Sequence, residues 1–286
     1  QDVIIVSKNR YFSNTSNISI MKILKSAFIL SIITFILANC TTDDESDEFW
    51  NDIKVNNEFQ STIFVFSSTE IGTCDEHGEN NLNLILDSKI NNISGNYVNG
   101  FLLYPSTTDP LYNPISEELK FLFDQNGDQT FNSFPSFVDD MNCFDIDSLS
   151  WYNSIETTLN KTAIISLGKK HVVKGNQQTI YIKGYYNENL SKSHSVALYI
   201  FNKSKGANQK TNTGQTVFKT HKNVIYSGAT NTYGKQLSEK NKNQEFHEKF
   251  QFDIDTTNPS EIGYVVIIYE LNEGGKPIRI INSLRI

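Results

Sequence analysis

Cys74 is followed three positions later by His77, in the run Cys74-Asp75-Glu76-His77-Gly78, and this pair is where the sequence comes nearest to chemistry. A thiol attacks as its thiolate, a form favoured by a helix N-terminus or by a protonated imidazole. Glu70, Asp75, Glu76 and Glu79 oppose it, because each disfavours another negative charge close by. One part-time cation does not outweigh four anions, so Cys74 is expected to stay a thiol near neutral pH. A Cys and a His at this spacing can also make half a zinc site, but no second close Cys/His pair accompanies them, and no metal is expected. His171, His194, His221 and His247 are scattered over different strand-like runs and read as structural or solvated. The run from Asp124 to Asp128 starts like a calcium loop, yet position six is Gln129 instead of Gly and position twelve is Pro135 instead of Glu, which leaves a polar turn. There is no Gly-rich phosphate loop and no Gly-x-Ser-x-Gly elbow, and no cofactor is expected.

Composition narrows the classes further. The chain has 286 residues, 25 Lys+Arg against 32 Asp+Glu, and a pI near 5.3, so nucleic acid is not an expected partner: phosphate neutralisation needs surplus basic residues. Apolar residues at 38% can build real cores, and the length suits about two domains.

Met21, Lys22 and Lys25 precede an apolar run at 27–38 broken only by Ser31 and Thr34, and Cys40 follows. This is the layout of a signal peptide, since a membrane-spanning helix needs about twenty apolar residues. Residues 1–20 lie upstream of a complete signal start and read as an upstream extension, leaving 21–39 as the signal peptide. Leu37-Ala38-Asn39-Cys40 resembles the lipobox of bacterial lipoproteins, which implies a diacylglyceryl thioether on Cys40 as a lipid anchor. The acidic stretch 41–48 resembles the surface-export signal of Bacteroidota lipoproteins, and 40–58 is expected to be an acidic tether.

Charge divides what remains. Residues 41–160 hold 22 acidic and 3 basic residues, while 161–286 hold 9 acidic and 18 basic. The first part, taken as 59–160, alternates element types: a strand at 61–66, a helix from Glu79 carrying Leu82, Ile85 and Leu86, and a strand at 97–104. A helix at 115–123, a Pro-led strand at 134–139 and a helix at 148–159 follow, which together read as a βαβ unit with a second layer. The second part, 161–286, is a series of about seven short strand-like runs with turn signals between them, the pattern of a sandwich. Its aromatic residues read as core.

With these elements in place, 58–160 resembles a thioredoxin-like domain. Cys74 matches the first Cys of that family's Cys-x-x-Cys, His77 stands where the second should be, and Pro135 matches its cis-Pro. The resemblance therefore implies a vestigial site made of Cys74, His77 and Pro135, because a disulfide oxidoreductase needs a resolving thiol. Cys143 is expected on the next strand, pointing elsewhere. The order of lipoprotein signal, α/β thioredoxin-like domain and all-β sandwich resembles the outer membrane protein 28 family of Bacteroidota. Thr220-His221-Lys222-Asn223-Val224-Ile225, Tyr233-Gly234 and Ile281-Asn282-Ser283 are similar to its tail motifs. The resemblance implies an outer-membrane or surface lipoprotein, and the function expected of it is that of a binding or structural module that contacts another protein, a glycan or an envelope component without turnover. The alternative is a thiol enzyme using Cys74.

Overall fold

The computed structural model describes residues 45–87, 97–126, 134–144, 148–159, 161–239, 241–254 and 258–286. The expected signal peptide, Cys40 and most of the acidic stretch lie outside these residues. Four α-helices are described, α1 (Asp47–Asn51), α2 (Asn80–Asp87), α3 (Pro114–Asn126) and α4 (Ser148–Leu159). The strands are β1 (Gln60–Phe66), β2 (Tyr97–Leu103), β3 (Ser136–Asp139), β4 (Asn142–Phe144), β5 (Ile165–Lys174), β6 (Gln177–Tyr186) and β7 (His194–Lys210). After them come β8 (Thr216–Gly228), β9 (Lys235–Leu237), β10 (Glu245–Asp253), β11 (Ile262–Leu271) and β12 (Pro277–Arg285). Among the described residues no helix is long and apolar enough to cross a membrane.

The expected α/β thioredoxin-like domain followed by a β-sandwich is not what the chain builds. It is mostly β, and one mixed sheet runs through both parts in the order β12-β11-β7-β8-β2-β1-β3-β4, with β9 on β7. The joint is β2, which pairs in parallel with β1 on one edge and meets β8 on the other through Leu102 and Val224. The second edge of β2 is thus met by a strand more than a hundred residues later, which removes a liability of unpaired backbone groups. A second, three-stranded sheet, β10-β6-β5, completes the strands described.

Alternation along the strands explains how three cores share these sheets. Phe64 and Phe66 of β1, Tyr199 and Phe201 of β7, and Val265 and Ile267 of β11 point to one face, where Leu119, Leu122 and Phe123 of α3 cover them. Helix α3 therefore buries its apolar stripe against strands from both parts at once. Its N-terminus is fixed to β8 as well: Asn113 caps the helix by accepting from the Ser116 backbone N–H at 2.9 Å, while its own Nδ2 donates to the Ile225 carbonyl at 2.6 Å. On the opposite face, Ile63, Val65 and Val98 pack with Leu82 and Ile85 of α2 and with Trp151 and Ile155 of α4. Farther along that face Val196, Leu198, Val266 and Ile268 meet Ile165, Ile180, Ile182 and Phe250 of the small sheet.

Packing also begins before Phe59. Trp50 is buried, stacks on His247 with ring centroids 4.5 Å apart, and joins Ile53 and Tyr181 in a small apolar cluster. Glu48–Ile286 form one compact unit.

Candidate functional site

The loop after β1 carries the residues singled out in the sequence. Cys74 opens a π-helical turn, Cys74–Glu79, that leads into α2. The turn lies against the Phe134–Pro135 peptide, which is cis. Gly78 makes this approach possible, since a Cβ there would lie 2.9 Å from the Cβ of Pro135. Cys74 and Pro135 are buried on this side, whereas His77 is half-buried with its Nε2 3.8 Å from Glu76. The structure therefore turns the two partners of the Cys74–His77 motif different ways, one inward and one outward.

Cys74 is 1% exposed. Burial pushes its thiol up to about 11; hydrogen bonds from the Ser68 backbone and the Ser67 side chain pull it down, and Asp109 adds to the rise. The expected thiol form has a different leading cause from the one the sequence suggested: desolvation, and not the four neighbouring carboxylates. Those carboxylates are occupied. Glu70 pairs with Lys210 at 2.5 Å, Asp75 pairs with Lys219, and Glu76 lies near His77. Cys143, on β4 beside Val138, is also a free thiol, pushed up to about 11 chiefly by burial.

The β7–β8 hairpin packs on the loop that carries Cys74. Its tip reaches back over the loop, where the Lys210 N–H donates to the Thr69 carbonyl at 2.8 Å and Gln209 Nε2 donates to the Ile71 carbonyl at 3.1 Å. Gly72 allows the contact, because a Cβ at this position would sit 2.5 Å from the Thr211 carbonyl oxygen. Asp109 ties the other side by accepting from the Thr69 N–H at 2.7 Å.

Sequence reasoning missed a buried polar cluster under the same turn. Glu79, 7% exposed at its side chain, places Oε2 3.0 Å from Nδ1 of the fully buried His221 on β8. Tyr104 Oη lies 3.0 Å from the same nitrogen. A carboxylate only accepts, so Nδ1 carries the proton donated to Glu79. Nε2 of His221 has no partner among the described residues. No local signal could have joined residues 79 and 221; the β2–β8 contact does it. The other histidines are structural: His171 bonds Gln178, His194 bonds Tyr186, and His247 stacks on Trp50. Of the calcium-like run, Asp124 lies on α3, and 127–133 fall outside the described residues. Among the described residues, no cluster of three or more His, Cys, Asp and Glu side chains could hold a metal ion.

An open cavity of about 660 Å³ lies elsewhere, where β5, β8 and β12 converge on the start of β1 and β2. Lys169, Lys222 and Arg285 line it together with Gln60, Asn99 and Asn223. None of these was singled out in the sequence as a site residue: Lys222 and Asn223 fall in one of the tail motifs, and the others come from four further strands.

No family model and no curated protein matches the sequence. Solved structures do. HBP35 of Porphyromonas gingivalis is similar with a TM-score of 0.65 at 16% identity, over 82% of this chain and 76% of that one. Protein AGR_C_4864 from Agrobacterium tumefaciens is similar with a TM-score of 0.53 at 10% identity, over 81% of this chain and 95% of that one. At such identities the likeness is one of fold.

Proposed function

We propose that this chain is a lipid-anchored protein of the outer membrane or cell surface of a Bacteroidota cell, held through Cys40, and that it works as a binding module without turnover. The observation that carries the absence of turnover is the state of Cys74: a thiol 1% exposed, on a loop held by the β7–β8 hairpin, and pushed up to about 11 by burial. A thiol nucleophile needs both access and thiolate character, and Cys74 has neither. The fold likeness to a protein of Porphyromonas gingivalis, itself a member of the Bacteroidota, agrees with the origin suggested by the signal and the acidic stretch. Binding in place of catalysis is supported by the open cavity at the start of β1 and β2.

Two experiments test the reading. In dithiothreitol-driven insulin reduction the full-length protein should behave as a blank, and Cys74→Ser should fold normally; activity lost in Cys74→Ser would replace the binding module with a thiol enzyme. Metabolic labelling with a fatty acid should mark the wild type and spare Cys40→Ser, and an unlabelled wild type would remove the anchor.

A further inference from the structure

From the cavity where β5, β8 and β12 meet, we infer a binding site for a small organic oxyanion, its charged head held by Lys169, Lys222 and Arg285 and its body lying on Leu86, Val98 and Leu284. This rests on the reading of the chain as a binding module and names the ligand class.

The charge distribution is the first argument. Lys161, Lys183, Lys192, Lys210, Lys219 and Lys235 each pair with a carboxylate. The three cations of the cavity do not: among the described residues none has a carboxylate within ion-pair distance, and no described Asp or Glu lines the space. Three like charges facing one concave, low-dielectric space repel one another, and an anion between them turns that repulsion into attraction. Burial already draws the Arg285 guanidinium and the Lys169 amine below their ordinary ranges, the direction expected of cations that lack a counter-charge.

The second argument is that Arg285, Lys169 and the amides beside them are held in place, with Lys222 at the exposed rim. The Arg285 guanidinium lies 4.7 Å from the centroid of the Phe201 ring and donates through Nη2 to Asn223 Oδ1 at 2.8 Å. Lys169 Nζ donates to the Arg285 carbonyl. Asn99 Nδ2 donates to Gln60 Oε1 at 3.1 Å and to Ser283 Oγ at 2.9 Å. These bonds decide how the amides face. With the Oδ1 of Asn223 and the Oε1 of Gln60 taken, the NH₂ groups of both remain as donors on the lining. The site thus offers cations and amide donors, the set that recognises carboxylate or phosphate oxygens.

Size sets the ligand class. A volume of about 660 Å³ would leave a lone inorganic anion surrounded by water, and it falls in the range of sites for small organic molecules. The apolar side chains of Leu86, Val98 and Leu284 give such a molecule a wall to lie against.

The test is isothermal titration of the full-length protein in detergent with hexanoate, glucuronate and benzyl phosphate, alongside the neutral counterparts hexanamide, methyl glucoside and benzyl alcohol. At least one oxyanion should bind saturably and more weakly as salt rises, and its neutral counterpart should not; which head binds separates carboxylate from phosphate sources. Lys222→Gln removes an exposed amine without touching a core and should weaken that binding by about tenfold or more, and Lys169→Gln should do the same. Binding of neutral and charged probes alike, loss of no affinity in either variant, or no heat from any oxyanion at millimolar concentration would each overturn the assignment. Insulin-reducing activity would instead strike the binding-module reading, so the two failures are distinct.

Discussion

Replacing His221 by Phe should be one of the more costly single changes in this protein, and its cost should exceed that of altering its partner. The imidazole is fully buried, and its Nδ1 is 3.0 Å from Oε2 of a Glu79 side chain that is itself only 7% exposed. Phe fills the ring's place, so little volume is lost, and the edge-to-face arrangement with Tyr104, at a centroid distance of 5.8 Å, can persist. What is lost is the donor to a buried carboxylate and the partner of the Tyr104 hydroxyl. Breaking a buried polar pair from one side costs about 3–5 kcal/mol. Glu79→Gln, by contrast, removes the charge and keeps an amide oxygen for Nδ1 to donate to, so it should cost only about 1–2 kcal/mol. The double variant carries no orphaned charge and should be less destabilised than the sum of the two by at least about 1 kcal/mol. Urea unfolding followed by far-UV circular dichroism gives all three values. Strict additivity, or a cost for His221→Phe below about 1 kcal/mol, would mean that water reaches Glu79 and that the sealed cluster does not exist in solution.

Alkaline pH should erode stability through the thiols. Cys74 and Cys143 are pushed up to about 11 from an ordinary 9.0, so above pH 9 the unfolded chain releases protons that the folded one keeps, at a cost of up to about 1.4 kcal/mol per pH unit and thiol until pH 11. Below pH 9 the contribution vanishes, and the difference in pH profile between wild type and each Ser variant isolates it from the buried tyrosines. Asp139→Ala should cost about 2–4 kcal/mol in urea unfolding, because the carboxylate accepts from Ser61, Ser154 and Thr158 at 2.7–3.1 Å, and of these only Thr158 keeps another acceptor, the Ser154 carbonyl at 3.0 Å. Trp50 and Trp151, the only two Trp in the chain, report on opposite parts of the molecule. In single-Trp variants their urea transitions should coincide, as one cooperative unit requires, and separate midpoints would restore two independent domains.

The elements that carry their own signal were readable. The β-branched and aromatic run of β1, the apolar run 195–201 inside β7, and α4 with Trp151 all appear where the pattern of residues puts them. The second half of β7 and the first half of β8 were not readable, because Lys203, Lys205, Lys219 and Lys222 give that hairpin the look of a solvated loop. Its strands are held by backbone pairing and by contacts at its tip with residues 68–75, and side-chain composition records neither. The fold class failed for the same reason. Charge and pattern both change near residue 160, yet acidic and basic stretches meet in Glu70–Lys210 and Asp75–Lys219, so opposite signs mark surfaces that adhere as readily as domains that part. At the site, the turn that begins at Cys74 lies against Pro135 while His77 faces away, and the cluster around His221 and the cavity around Arg285 depend on strand order, which no local spacing reveals.

Asn282, on β12, accepts from the Gln60 N–H across 222 positions, and its side-chain NH₂ donates to the carbonyls of Glu58 and Ile165. One side chain thus joins the first strand of the large sheet, the first strand of the small one, and β12. Contacts of such long sequence separation are entropically expensive to close, which slows folding to milliseconds or longer. Until β12 is in place, the bonds that tie β1 and β5 together through Asn282 cannot form. The two sheets are therefore joined in one step instead of half by half.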